Sequence, residues 1–390
     1  MPPTMDISVI IVGGGPVGLT AAHAFSKLGI DFALLERRDI IAEDVGASIV
    51  LWPHGIRIMA QLGLLDQLLS IGTELMSGTF QTVNGKAFLR TSSPQLCKTK
   101  IHTSKTVTSI SSVPGGGIKV LCLDGTSYTG SFTLGADGIH SVSTPKNLCL
   151  QVLANEKSNV QFCFLYQLLL PDNSPSKKFT QSDIEAIISR PDVSSRPLGG
   201  SGLTVKDAWR LKSKCGITPL EEGILKPEWH FGNQMVLVGD AAHKVTPTIG
   251  QGLNMGLLDV VSLANQVSEF VGSAGSSREK VLGGLDGAFR RYRAERLESV
   301  EKDYKRSGVV TRLTCWREWR FKLFDRVVMP IPGVDVLLVN KVNSPIMARG
   351  LVFRGIRVER EPFEGRVKWK EKMPLLDKTA HDEERKESGG

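Results

Sequence analysis

The sequence predicts an α/β fold: a mainly parallel sheet wrapped by helices, with an inserted β-sheet domain and a helical C-terminal region. Three observations carry this. An apolar run over residues 7–12 leads into Gly13-Gly14-Gly15-Pro16-Val17-Gly18 and then into a helical pattern. A second apolar run ends in Leu34-Leu35-Glu36. A third, Met235-Val236-Leu237-Val238, feeds Gly239-Asp240 far downstream. Gly13, Gly15 and Gly18 fill the G-x-G-x-x-G pattern, in which the first glycine makes the tight turn, the second admits a pyrophosphate and the third lets helix and strand pack closely. The amides that open the helix face the phosphates with the positive end of its dipole. Glu36 follows Gly18 by 18 residues, near the spacing of an acid that holds a ribose hydroxyl. In the order strand, helix, strand, acid, the pattern predicts a dinucleotide site rather than a purely structural βαβ unit.

Beyond this unit, residues 56–69 carry helical apolar spacing, with Gly63 where a first helix can stop. Residues 76–90 read as extended. From Lys105 to Thr133 the chain alternates like strands, and Asp124-Gly125 gives a hairpin signal. Residues 160–170 read as a buried strand, whereas 171–202, rich in Ser, Pro and Gly, read mostly as loop. Long helices are expected from Gly252 toward Phe270 and from Asp286 to Arg306, and the charged stretch 366–390 reads as a disordered tail.

A chain of 390 residues is long enough for two domains, and 41% hydrophobic with 23% charged residues is the composition of a soluble globular protein. The six cysteines form no C-x-x-C pair, so neither a zinc knuckle nor a redox dithiol is indicated, no metal site is expected, and reduced thiols in a cytoplasmic protein are the simplest reading. No secretory signal precedes the first strand, and no apolar run reaches the ~18 residues of a spanning helix. The net charge of +8 does not imply nucleic acid, because the basic residues of Arg290-Arg291-Tyr292-Arg293 and Trp316-Arg317-Glu318-Trp319-Arg320 sit among acids as on a solvated helix face. The aromatic and basic mixture over 316–331 is also what an interfacial helix carries, so peripheral membrane contact through this region stands beside ordinary packing of the helix on the rest of the chain.

Two further motifs make the site specific. In Leu134-Gly135-Ala136-Asp137-Gly138, Asp137 and Gly138 are placed to close a turn against a pyrophosphate. In Gly239-Asp240-Ala241-Ala242-His243-Lys244-Val245-Thr246-Pro247-Thr248-Ile249-Gly250-Gln251-Gly252-Leu253-Asn254, Asp240 ends a strand at the sheet edge, where its carboxylate can accept from a ribityl or ribose hydroxyl. Gly250 and Gly252 permit close backbone approach to a ligand. His243 reads as a residue that fixes this loop rather than as a catalyst.

With these three motifs in order, the chain resembles the FAD-dependent aromatic-hydroxylase-type monooxygenases over most of residues 7–320. Val45-Gly46-Ala47-Ser48-Ile49-Val50-Leu51-Trp52-Pro53-His54-Gly55 and Gln61-Leu62-Gly63-Leu64 look most like fungal epoxidases of prenylated secondary metabolites, of meroterpenoid or indole-diterpene type. Thr180-Gln181-Ser182-Asp183-Ile184-Glu185 and Pro330-Ile331-Pro332 point the same way. The resemblance implies a Rossmann-like FAD-binding domain with an inserted β-sheet substrate domain and a C-terminal helical region. Its FAD-binding parts are expected at 1–75, 101–142 and 231–310, its shortened substrate-domain parts at 76–100 and 143–230, and the helical region at 311–365.

The resemblance further implies that Gly13, Gly15, Gly18 and Glu36 hold the ADP half, that Gly46 and Ala47 line the flavin, that Asp240 meets the ribityl chain, and that Gly252, Leu253 and Asn254 lie near the isoalloxazine. Arg90 stands in the short stretch where the family carries a flavin-contacting arginine, and no arginine follows the Asp137-Gly138 motif at the family's position. NAD(P)H is the implied co-substrate and dioxygen the oxidant. Oxygen would pass through a flavin hydroperoxide to an apolar alkene substrate, a reaction that needs no general base. A salicylate-type aromatic hydroxylase, or a flavin-binding protein with turnover impaired by missing segments, are the alternatives. The first would require a group for the phenol oxygen, and the second would consume no nicotinamide.

Overall fold

The computed structural model describes residues 7–41, 50–71, 80–81, 87–89, 106–113, 118–135, 148–154, 160–166, 180–195, 203–211, 222–274, 278–314, 318–329, 331–362 and 367–376. The chain opens with β1 (Ser8–Val12), α1 (Pro16–Lys27), β2 (Asp31–Leu35), α2 (Pro53–Gln61) and α3 (Leu65–Ile71). Next come β3 (Phe80–Gln81), β4 (Ala87–Leu89), β5 (Val107–Ser112), β6 (Ile118–Cys122), β7 (Ser127–Gly130) and β8 (Phe132–Gly135). A hairpin of β9 (Leu148–Ala154) and β10 (Val160–Tyr166) precedes three short helices, α4 (Gln181–Ile188), α5 (Pro191–Ser194) and α6 (Val205–Leu211). The last strands are β11 (Gly223–Ile224), β12 (His230–Phe231), β13 (Met235–Leu237) and β14 (His243–Lys244). The long helices α7 (Gly252–Ala274) and α8 (Arg278–Thr314) follow, and then α9 (Trp319–Val327), α10 (Val334–Leu338) and α11 (Ser344–Met347).

The central sheet runs β12-β13-β8-β1-β2, parallel throughout except for the edge strand β12. Strands buried on both faces read as continuous apolar runs, which is why Val9, Ile10 and Ile11 are all at most 1% exposed. One face carries α1 and α7, with Phe25, Phe132, Met255 and Val261 in the shared core. On the other face lies the antiparallel sheet β5-β6-β7. In β6, Ile118, Val120 and Cys122 point inward onto Ile10 and Leu35 while Lys119 and Leu121 face out, the two-residue period of a half-buried strand. The result is a three-layer arrangement whose parallel strands all aim their C-terminal ends, at Val12, Gly135 and Leu237, toward one crevice.

Two expectations are corrected. Residues 171–202 were expected to be mostly loop, yet α4 and α5 lie within them. The Thr180 hydroxyl accepts the Asp183 amide while the Asp183 carboxylate accepts the Thr180 amide, a capping box that outweighs the local Ser and Pro content. Thr204 and Asp207 make the same reciprocal pair just ahead of α6. Of the expected tail, residues 367–376 are packed: Trp369 and Met373 are buried, and Val358 bridges to Leu375. The fully buried Arg57 of α2 explains this. Its guanidinium lies 4.4 Å from the Trp369 ring centroid, pairs with Glu361 and donates to the Glu371 carbonyl, so the tail buries aromatic surface instead of exposing charge. Gln61 exchanges bonds with Phe353, and Asn265 with Val352 and Arg354, completing a strap over α2 and α7.

Candidate active site

The turn after β1 begins at Gly13, whose φ of 105° is a conformation that side chains oppose. Its amide donates to Leu35 O at 2.8 Å, which seats the turn against β2. A Cβ at Gly18 would lie 2.0 Å from Gly13 O, so α1 packs here with nothing to spare. A Cβ at Gly15, by contrast, would meet no atom within 4 Å and would project into open space before the first turn of α1. That space, bounded by helix-opening amides that have no partner within the helix, has the form of a phosphate cradle.

Glu36 closes the cradle from β2. It is 3% exposed and accepts from the Gly14 amide at 2.7 Å, the Arg38 amide at 2.9 Å and Arg38 Nε at 2.9 Å. Burial alone would raise its carboxyl, but the Arg38 guanidinium and the two amides outweigh burial and hold it at about 2. It is therefore a fixed anion at neutral pH.

The second wall is the turn after β13. Gly239 adopts φ 58°, its amide donates to Asp259 Oδ2 at 2.9 Å, and Gly256 of α7 comes so near that a Cβ there would lie 3.2 Å from Gly239 Cα. Asp259 is fully buried and is the hub of this wall, since it also bonds His243 Nε2 at 2.5 Å and Arg296 Nε of α8 at 2.7 Å. Burial pushes its carboxyl up, yet His243 and Arg296 bring it down to about 2. Asp240, next to this anchored turn, faces outward, and among the described residues no donor reaches its carboxylate. Crowding raises its carboxyl above the usual 3.8 against the opposing pull of Lys244 and His243, and its Oδ1 would lie 3.9 Å from a Cβ on Gly252.

The third wall is the segment from Val245 to the start of α7. Asn254 is buried, and its amide nitrogen donates to Val50 O and Gly250 O, each at 2.9 Å, while its oxygen accepts the Trp52 amide at 3.0 Å. The Trp52 indole donates to Ile249 O at 3.1 Å.

The FAD binding domain family matches residues 6–113 and 220–298, the stretches that carry α1, α7 and every strand of the central sheet except β8. The chain is 28% identical over 442 aligned residues to the FAD-dependent monooxygenase DEP2 of Alternaria brassicicola, covering 93% of this chain and 81% of that protein. It is 27% identical to the FAD-dependent monooxygenase dpchE of Colletotrichum higginsianum, covering 93% and 92%. The chain is thus similar along most of its length to FAD-dependent monooxygenases. Among solved structures, the fold of this monooxygenase is similar to that of Klebsiella pneumoniae HpxO complexed with FAD and uric acid (TM-score 0.61, 18% identity, 87% of this chain and 97% of that one) and of FqzB (TM-score 0.64, 17%, 89% and 95%).

FAD would find open space at Gly15 for its pyrophosphate and the exposed Asp240 carboxylate for its ribityl hydroxyls, while Glu36, its oxygens already bonded to Gly14 and Arg38, seats the turn beneath the cradle. Gly13, Gly15, Gly18, Glu36, Asp240, Gly252, Leu253 and Asn254 all fall on the walls just described, though the Asn254 side chain is spent on backbone partners. Gly46, Ala47, Arg90, Asp137 and Gly138 lie outside the described residues. Sequence reasoning missed Asp259 and Arg296. The available signal was a lone acid inside the apolar run Leu257-Leu258-Asp259-Val260-Val261, which in a buried helix demands a partner.

Proposed function

We propose that this monooxygenase acts in fungal secondary metabolism, using NAD(P)H and dioxygen to epoxidise an alkene of a prenylated substrate of meroterpenoid or indole-diterpene type. The observation that carries the choice of alkene over phenol is the state of His243. Its imidazole is 3% exposed and bonded to Asp259, so it holds the loop and is not presented as a base to a phenol. An alkene asks for none. When bound, FAD supplies the redox chemistry that activates dioxygen. The chain's own residues bind and orient. Glu36 anchors the Gly14 turn at one end of the cleft, Asp240 offers an acceptor at the other, the α7 N-terminus offers a positive dipole end, and half-buried Trp52, Ile249 and Leu253 keep water from one edge. The test is aerobic turnover of prenylated quinol and indole substrates with NADPH or NADH. An epoxide carrying one atom from labelled dioxygen is expected, and ring hydroxylation would refute the assignment.

A second reading, flavin binding with impaired turnover, is favoured by one observation. The 442-residue alignment with the Alternaria relative is longer than this 390-residue chain, so the relative has internal sequence that the chain lacks. Nicotinamide oxidation stimulated by substrate would exclude it.

Peripheral contact with an anionic membrane belongs to the same proposal. Trp319, Leu323 and Val327 recur every four residues along α9 and are 74%, 53% and 57% exposed. Ile331, Val336 and Leu337 extend the apolar surface, and Arg320, Lys322 and Arg326 interleave with it. Phe321, Phe324 and Val328 are half-buried, so one side of α9 packs on the chain while Trp319, Leu323 and Val327 face solvent. Among the described residues no helix is long and apolar enough to cross a membrane, so the contact would be interfacial.

A further inference from the structure

Arg296, Asp303, Ser307 and Thr311 recur at intervals of seven, four and four along α8, which places them on one face. The first three are buried, and the stripe faces the loop that follows Asp240. Arg296 reaches that loop through Asp259 and His243, and Asp303 lies close enough to His243 for its carboxyl to feel the imidazole. The last two residues touch the loop directly. Ser307 Oγ donates to Thr246 O at 2.9 Å and shares a 2.7 Å bond with Thr246 Oγ1. Thr246 Oγ1 bonds Thr311 Oγ1 at 2.6 Å, and Thr311 Oγ1 bonds Thr248 Oγ1 at 2.7 Å.

We infer that Ser307 and Thr311 are positioning residues that fix the 246–250 loop, and through it the placement of the flavin ring. Four hydroxyls meet on the two sides of Pro247, where valine or alanine would fill the space without polar cost. Buried hydroxyls are costly unless bonded, and when bonded they fix distance and direction as apolar contacts do not. On its far side the same loop is tied by the Trp52 indole at Ile249 O and by Asn254 at Gly250 O. It is thereby clamped between α8 and the 50–52 segment, and it leads straight into the helix start beside Asp240. Ser307 and Thr311 lie beyond residue 298, outside the stretch that the FAD binding domain matches, so the clamp is additional to the family's cofactor motifs. The inference rests on the assignment of FAD to this cleft.

The test uses the flavin-loaded enzyme with Thr311→Val, Ser307→Ala, Thr248→Val and the conservative Thr311→Ser. Thr311→Val should keep one flavin per chain but shift the visible flavin bands. It should also raise the peroxide released per nicotinamide oxidised by roughly tenfold, inside the ~10²-fold cost of a misplacement of about 1 Å. Thr311→Ser should restore both readouts. Thr248→Val should reproduce the defect, and the Thr248→Val/Thr311→Val pair should be no worse than either alone. If Ser307→Ala fails to fold, Thr311→Val, at a half-buried position, carries the test by itself. A yellow Thr311→Val enzyme that melts earlier but keeps wild-type bands and peroxide yield would overturn the inference and leave the FAD assignment standing. A wild-type chain that neither purifies with flavin nor takes it up would overturn both.

Discussion

Asp259→Asn and Asp259→Ala test whether the buried carboxylate organises the cleft. Asparagine keeps the shape but removes the charge that faces Arg296 and His243. At ~1.36 kcal/mol per pH unit, the fall of the Asp259 carboxyl from 3.8 to about 2 corresponds to about 2–3 kcal/mol of native-state stabilisation. Alanine also strands Arg296, 2% exposed, and breaking a buried ion pair in this way costs about 3–5 kcal/mol. Because the folded-state value is depressed, the stabilisation is present above pH 3.8 and is lost as pH falls through about 2. Asp259→Asn should therefore lose stability at neutral pH and show a flatter acid limb than the wild type. Urea unfolding followed by tryptophan fluorescence at neutral pH and at about pH 2.5, inside the window where the stabilisation is lost, reads the energies, and flavin fluorescence at neutral pH reads FAD affinity, which should weaken because Gly239 loses its anchor. Variants within about 1 kcal/mol of wild type, with unchanged FAD affinity, would refute the hub, since a loss that small is below even the ~1.5–3 kcal/mol of one hydrogen bond to a charged group.

Gly15→Val should give a folded but colourless protein, because its side chain enters open space that the pyrophosphate needs, whereas Gly18→Ala should destabilise the fold itself by collision with Gly13 O. Urea midpoints and flavin absorbance after desalting separate the two. Glu36→Ala and Asp240→Ala should each weaken FAD binding by about 1–3 kcal/mol, measured on the same desalted protein. On acidification Asp240, raised above 3.8, protonates before Glu36, held at about 2, so Asp240→Asn should flatten the acid-induced loss of flavin. The full chain should float with anionic liposomes at low salt and sink at high salt, and Trp319→Ser/Leu323→Ser should abolish flotation; a wild-type chain that stays at the bottom at low salt would refute the membrane face.

What the sequence made legible was whatever has a local signature. The turn glycines, Glu36 at the end of β2, the Asp124-Gly125 hairpin and the apolar body of α7 each follow from backbone sterics or from periodicity, which act within a few residues. What it hid depends on distant partners. Arg57, Asp259 and Arg296 are charged residues that a pattern reading sends to the surface, and each is buried only because another element supplies its counter-charge. The basic run at Arg290–Arg293 divided the same way. Arg290 is exposed as a solvated face requires, while Tyr292 between its neighbours is fully buried, its hydroxyl bonded to Leu237 O. Helix α4 was hidden for a different reason, since its capping box was present in the sequence but outvoted by the Ser and Pro around it.

The strap over α2 and α7 has a consequence for how the protein is made. Arg57, a residue of the first nucleotide-binding unit, finds its counter-charge at Glu361 and its aromatic cover at Trp369, and Gln61 finds its partners at Phe353 and Ile356. During synthesis the amino-terminal half therefore waits, with a guanidinium and a carboxamide uncovered, until the strap from Phe353 to Glu371 has left the ribosome. A nascent chain arrested before residue 350 should therefore be a substrate for chaperones and proteases rather than a vessel for its cofactor.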